Sequence, residues 1–197
     1  GLKLMSFGFL MGDKPAVIRG PMVAQYMQQL LHNVIWDELD YLIIDMPPGT
    51  GDIQLTICQS IQIDASLIIT TPHQLSLTDV KKGIMMFDKV NVPILGVVEN
   101  MSYYECCEEK HFIFGKGGSK TLSERFGIDT IAELPISPDL GFNYDKLSNS
   151  KIAQDTVNLI IRALGKKILD KPIQPNISFD MNKITLKWSD NESISIS

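Results

Sequence analysis

The chain has 197 residues, of which 44% are hydrophobic and 21% charged, and its formal net charge is -5. That length holds one full core plus a small appendage, and the acidic balance argues against a basic nucleic-acid-binding face. No apolar run approaches the roughly 20 residues that span a bilayer, so neither nucleic acid nor membrane is an expected partner.

In chain order, the nearly continuous apolar run from Leu2 to Leu10 predicts a strand covered on both faces. Because Gly1 already lies inside that run, the natural amino terminus is expected upstream. Arg19-Gly20-Pro21 predicts a helix start, with proline where its missing donor costs nothing. Met22, Val23, Tyr26, Met27, Leu30, Leu31, Val34 and Ile35 recur at helical spacing, a stripe suited to packing on a sheet. A strand is predicted from Tyr41 to Asp45, a helix from Ile53 to Ile61 and a buried strand from Ala65 to Thr70. The next predicted helix runs from Leu77 to Val90, capped by Ser76 with Asp79 three residues on. A strand from Ile94 to Asn100, a short helix from Lys120 to Phe126, a strand from Ile131 to Leu134 and a helix from Lys151 to Leu169 complete the pattern. Strand and helix in strict turn predict an α/β fold, a three-layer parallel sheet with helices on both faces.

After Leu169 the character changes. Lys171-Pro172-Ile173-Gln174-Pro175 reads as a linker. Short strands are then expected at Ile177 to Asp180, Lys183 to Trp188 and Ser193 to Ile196, with turns at Met181-Asn182 and Asp190-Asn191. The reading divides the chain into residues 1–169 and residues 170–197, the latter the start of a β-rich unit too small to form a core alone.

Ligands of open parallel sheets bind beyond the carboxyl ends of the strands. Tyr41-Leu42-Ile43-Ile44 delivers Asp45 into Met46-Pro47-Pro48-Gly49-Thr50-Gly51-Asp52, a stiff proline pair followed by two glycines. A carboxylate there can orient a magnesium ion or its water shell, and the glycines let backbone amides approach a terminal phosphate. Taken alone, such an aspartate serves equally as a helix cap or turn former.

The string from Asp45 to Asp52 resembles the signature of the Mrp/ApbC family of iron-sulfur cluster carrier ATPases, relatives of MinD, ParA and ArsA. The resemblance extends to Arg19-Gly20-Pro21-Met22, Thr70-Thr71-Pro72 and Gly96-Val97-Val98-Glu99-Asn100-Met101-Ser102. It implies a P-loop NTPase fold, ATP and magnesium as cofactors, and an iron-sulfur cluster, of the four-iron type, carried by a homodimer to apo-protein recipients. By the same resemblance Asp45 is the catalytic, magnesium-linked aspartate. Pro48, Gly49, Thr50, Gly51 and Asp52 form the loop at the terminal phosphate, and Asn100 and Pro135 lie at the nucleotide. The alternative for Asn100 is a strand-ending turn residue.

The family's lysine-bearing phosphate loop is not found here and is expected upstream, which would leave the chain by itself inactive. Gly115-Lys116-Gly117-Gly118-Ser119-Lys120-Thr121 has a similar composition. It lacks the glycine before the second lysine and follows no buried strand, so it reads as structural.

Three cysteines, Cys58, Cys106 and Cys107, are too few for a disulfide framework and fit a soluble reducing compartment, cytoplasm or organelle stroma or matrix. Many members of the family carry two cysteines two residues apart after the Asn-Met-Ser string. Cys106 falls at the first position, but Glu109 occupies the second and Cys107 adjoins Cys106. Thiolates are the natural ligands of iron-sulfur clusters, and two chains giving two each could complete a set. Neighbouring side chains of an extended backbone point opposite ways, which ranks Cys106 above Cys107 as a ligand. The alternative is that one or both are incidental loop thiols. Cys58 reads as a core residue, and His73 and His111 lack metal-ligand spacing. In the tail, Trp188-Ser189-Asp190 after Ile184-Thr185-Leu186-Lys187 is similar to the small domain of the family's high-chlorophyll-fluorescence branch, members of which can lack the regular cysteine pair.

The leading expectation is therefore an ATPase that assembles or delivers iron-sulfur clusters. The alternatives are a non-hydrolytic scaffold and a MinD- or ParA-like positioning ATPase.

Overall fold

The structure, a computed structural model, describes residues 3–6, 8–9, 20–47, 51–141, 149–169, 176–180, 183–187 and 193–196. Its central strand, β2 (Ile94–Cys106), has four consecutive buried residues at positions 96–99. Successive strand residues face opposite sides, so unbroken burial means that both faces of the sheet are covered. β1 (Ser66–Thr70) runs parallel to β2 on one edge, with Leu67 opposite Gly96 and Thr70 opposite Glu99. β4 (Thr130–Ile136) runs parallel to it on the other, with Val98 opposite Ala132 and Glu99 opposite Glu133. A short antiparallel strand, β3 (Glu109–His111), pairs with the last residues of β2.

Helix α3 (Gln74–Lys89) packs on β1 through a stripe that includes the buried Leu77, Ile84 and Phe87. Helix α4 (Gly118–Phe126) packs against α3, β2 and β4, and its Leu122 is fully buried. Helix α5 (Lys151–Leu169) packs on β4 and β2. Ile68, Leu77, Ile84, Phe87, Val97 and Leu122 form the heart of the core. Each such side chain contributes about 1.5–3 kcal/mol by leaving water. Ahead of the sheet lie α1 (Gly20–His32) and α2 (Asp52–Ser60), which pack against each other. The tail forms an antiparallel three-strand meander of its own, β5 (Asn176–Asp180), β6 (Lys183–Lys187) and β7 (Ser193–Ile196). Both predicted tail turns fall outside the described residues.

Four expectations are corrected. Among the described residues of the first apolar run, 3–6 form no ladder, 8 and 9 are helical, and Leu4 and Phe9 are 69% and 65% exposed. Residues 41–45 likewise pair with no described strand, and Ile43 is 92% exposed. An apolar run becomes a strand only where a ladder partner and a covering layer exist, and neither meets these segments among the described residues. Helix α1, expected to pack on a sheet, packs against α2. Finally, α3 begins at Gln74, three residues earlier than expected. The His73 ring Nδ1 accepts a hydrogen bond from the Leu75 N–H at 3.2 Å and caps the helix, while Ser76 in the first turn bonds Thr71 through its hydroxyl at 2.8 Å.

The turn before α4 is tightly packed. Gly117 takes a left-handed φ of 77°, and a Cβ on Gly118 would stand 2.8 Å from the Pro72 Cα and 2.9 Å from Glu99 Oε2. Neither backbone nor a buried carboxylate yields cheaply, so Gly118→Ala should lower unfolding stability by about 1–3 kcal/mol. In helix α3 a Cβ at Gly83 would meet nothing within 4 Å. Gly83→Ala should therefore gain up to about 1 kcal/mol. Urea denaturation of the two variants against the parent tests the contrast.

Candidate functional site

Asp45 is exposed in the segment that leads into the proline-glycine string. That segment is tied to α2 by Gln54, whose side chain is 3% exposed and whose Nε2 donates to the Pro47 carbonyl at 2.7 Å. The helix is itself anchored by the fully buried Ile57 and by Leu55 and Cys58 against the core. Gly51 enters α2 in an extended conformation. Pro48, Gly49 and Thr50 lie outside the described residues, as does the side chain of Asp52. An exposed carboxylate on an anchored loop suits a hard, hydrated cation such as magnesium, which takes one or two carboxylates and keeps several waters. Gln54 was not singled out in the sequence. Its signal was a lone polar residue on the buried stripe of α2, at helical spacing from Ile57 and Cys58.

Midway along β2, just past its buried stretch, the Asn100 side-chain Oδ1 accepts from the Met101 N–H at 2.9 Å, leaving Nδ2 free to donate outward. Asn100 lines an open recess of about 320 Å³ together with Thr70, Thr71, Ser76 and Asp79. Pro135 lies on the neighbouring strand, opposite Tyr103, where the β2–β4 register shifts between Glu99 and Tyr103. Asn100 and Pro135 thus lie on adjacent strands, with Pro135 registered three positions beyond Asn100. The reading of Asn100 as a strand-ending turn residue is corrected, since β2 runs on through it to Cys106.

Glu99, a second residue not singled out, is fully buried. Its Oε1 accepts from the Ser102 hydroxyl at 2.6 Å and its Oε2 from the Ser119 N–H at 2.5 Å. This carboxylate occupies the amino-terminal end of α4, where a glycine-rich loop would otherwise receive an anion. The string from Gly115 to Thr121 is accordingly a structural turn, as its sequence context indicates.

Cys106 and Cys107 lie at the exposed tip of the β2–β3 hairpin, with their Sγ atoms 3.4 Å apart. The expectation that they point opposite ways is corrected: Cys107 has a left-handed φ of 55°, so the backbone is not extended there. Lys110 stands 3.9 Å over the Tyr103 ring and braces the hairpin. Cys58 is half-buried on α2, and burial pushes its thiol up from the ordinary value, partly offset by a backbone hydrogen bond. That suits a core residue rather than a reactive thiol. His73 is spent on capping α3. Among the described residues, no three His, Cys, Asp or Glu side chains converge on a metal position, and no helix is long and apolar enough to cross a membrane.

A family model described as "ParA: NUBPL iron-transfer P-loop NTPase" matches residues 1–169. Over 156 residues the chain is 46% identical to an iron-sulfur cluster carrier protein of Pseudomonas fragi, covering 78% of this chain and 54% of that protein. Over 162 residues it is 45% identical to the chloroplastic Fe-S cluster assembly factor HCF101 of Arabidopsis thaliana, covering 82% of this chain and 30% of that one. The chain thus spans about half the length, or less, of these curated relatives. A solved nucleotide-binding protein from Archaeoglobus fulgidus, in complex with ADP, superposes with a TM-score of 0.58 at 34% identity, covering 87% of this chain and 60% of that one. Matched by this family model over most of its length, the chain belongs to the ParA family of NUBPL-type iron-transfer P-loop NTPases.

Proposed function

We propose that the protein hydrolyses ATP and carries an iron-sulfur cluster between two copies of itself, delivering it to apo-protein recipients. The observation that carries this reading is that one strand serves both sites. Asn100 stands midway along β2, where the nucleotide would lie, and Cys106 six residues further along it, a span of about 20 Å at strand rise. A change in the nucleotide's grip on Asn100 then acts on the base of the hairpin that presents the thiols. Met101, with a left-handed φ of 54°, lies between them where the ladder to β4 shifts register. It is the natural point for the hairpin arm to swing relative to the core.

In this reading Asp45 would hold magnesium, and Asn100 would donate from Nδ2 to the base. Magnesium, when bound, supplies neutralisation of phosphate charge. Gln54 acts as a positioning residue, since its bond to the Pro47 carbonyl fixes the loop that presents Asp45. The thiols lie outside the core, where a cluster can be received and released without unfolding the sheet. Four thiolates are usual for a cluster and the hairpin offers two, which supports a homodimer. Residues 1–169 form the nucleotide-binding unit and residues 170–197 begin a separate β-rich unit.

Two substitutions in the full-length protein test the nucleotide half. Asp45→Asn should lower ATP turnover at least about tenfold, equivalent to roughly 1.4 kcal/mol of transition-state stabilisation, while nucleotide affinity changes much less. Unchanged turnover in a folded Asp45→Asn protein removes Asp45 from the site. Asn100→Ala should instead raise KM for ATP by about 2- to 12-fold with kcat nearly retained, the loss of one hydrogen bond of about 0.5–1.5 kcal/mol. Steady-state kinetics that show the reverse split would assign Asn100 to the chemical step.

A further inference from the structure

Beside Asn100 the central strand carries surplus backbone. From Glu99 to Tyr103 β2 takes four steps, while its neighbour β4 takes two, from Glu133 to Pro135. The surplus forms a bulge with Met101 left-handed at φ 54°, and a bulge re-aims the side chains it carries. A left-handed methionine is strained because its Cβ crowds the backbone, and it persists only where its surroundings over-determine it.

Two hydrogen bonds close the bulge. Across its mouth the Ser102 hydroxyl donates to Glu99 Oε1 at 2.6 Å, and within it the Met101 N–H donates to Asn100 Oδ1 at 2.9 Å. In a regular strand residues 99 and 102 point to opposite faces. Here their side chains meet, and both residues are buried, at 0% and 2% exposure, so this bond belongs to the bulged backbone alone. Glu99 is itself held, because its Oε2 accepts from the Ser119 N–H at the start of α4. One carboxylate thus ties the far side of the bulge to the core.

We infer that Glu99 and Ser102 are positioning residues for Asn100. Their bond keeps Met101 left-handed, and the left-handed Met101 turns its N–H onto Asn100 Oδ1. With that oxygen engaged, the amide presents its Nδ2 donor outward. An open bulge would free the amide to rotate and to offer its acceptor as readily as its donor. The role rests on the reading above that Asn100 meets the nucleotide base. It adds to the determinants of nucleotide affinity two buried residues that act only through the side chain between them.

The test has two arms on the full-length protein. In the first, Ser102→Ala should raise KM for ATP about 2- to 12-fold, the loss of one hydrogen bond, with kcat nearly retained. Glu99→Gln, which keeps the shape but replaces a charged acceptor by a neutral one, should shift KM the same way by less. Ile84→Val loosens the core away from the bulge and should leave KM unchanged, which separates positioning from a loss of stability. Adding Ser102→Ala to Asn100→Ala should raise KM no further, because the side chain it positions is already gone. The second arm needs no nucleotide: in Ser102→Ala the Met101 N–H, followed by NMR, should exchange with solvent about 2- to 12-fold faster. Unchanged Met101 exchange, additive KM effects in the double variant, or a KM rise shared by Ile84→Val overturns the inference. Faster exchange in a protein whose KM is indifferent to both Ser102→Ala and Asn100→Ala sustains the closed bulge and overturns the contact of Asn100 with the base.

Discussion

A fully buried carboxylate sits where β2 leaves the core, and the surrounding structure is arranged to satisfy it. An unpaired charge at the Glu99 position would cost several kcal/mol. The Ser102 hydroxyl and the Ser119 N–H each donate to it, and the positive end of the α4 dipole faces it. These bonds join the end of the central strand to the start of a helix 20 residues later in sequence. They also explain why residue 118 has no room for a side chain, and why a lysine-flanked glycine turn in this chain is not an anion site.

The same residue divides β2 into two parts with different physics. Up to Glu99 the strand is buried on both faces and held by parallel neighbours on both edges. Beyond it comes the left-handed Met101 and the register shift, after which Tyr103 and Tyr104 pair again with β4 and the exposed last residues pair with β3. The arm is braced by Lys110 over Tyr103 and by the Tyr103 and Phe112 rings, whose centroids are 6.5 Å apart. A core strand that becomes a braced arm carries Asn100 and the thiol pair on one continuous piece of backbone. The Asp45 loop reaches the core by another route, through Gln54 and the buried face of α2.

Local periodicity determined much of the architecture. The apolar runs ending at Thr70 and Asn100, the stripe containing Leu77, Ile84 and Phe87, and the closing helix from Lys151 are legible because each buries a continuous surface whose repeat is written in neighbouring residues. The antiparallel β3 was not legible, since Glu-Lys-His carries no apolar alternation and its strand state comes only from pairing with residues 104–106. The segment at Tyr41 shows the converse. Its composition suits a strand, yet a ladder needs a partner edge, and composition cannot supply one.

The site divides along the same line. The sequence by itself determined which residue types stand beyond the apolar runs: the carboxylate of Asp45, the amide of Asn100, the glycine string and the adjacent thiols. Only the tertiary structure decided what each of them faces. Glu99 became a buried bridge and Gln54 a loop anchor because their partners, Ser119 and Pro47, are brought to them by the packing of α4 and α2. Cys107 joined Cys106 because two consecutive left-handed residues close the hairpin. Backbone handedness and long-range partners are properties of the folded chain, and no spacing of residue types along the sequence encodes them locally.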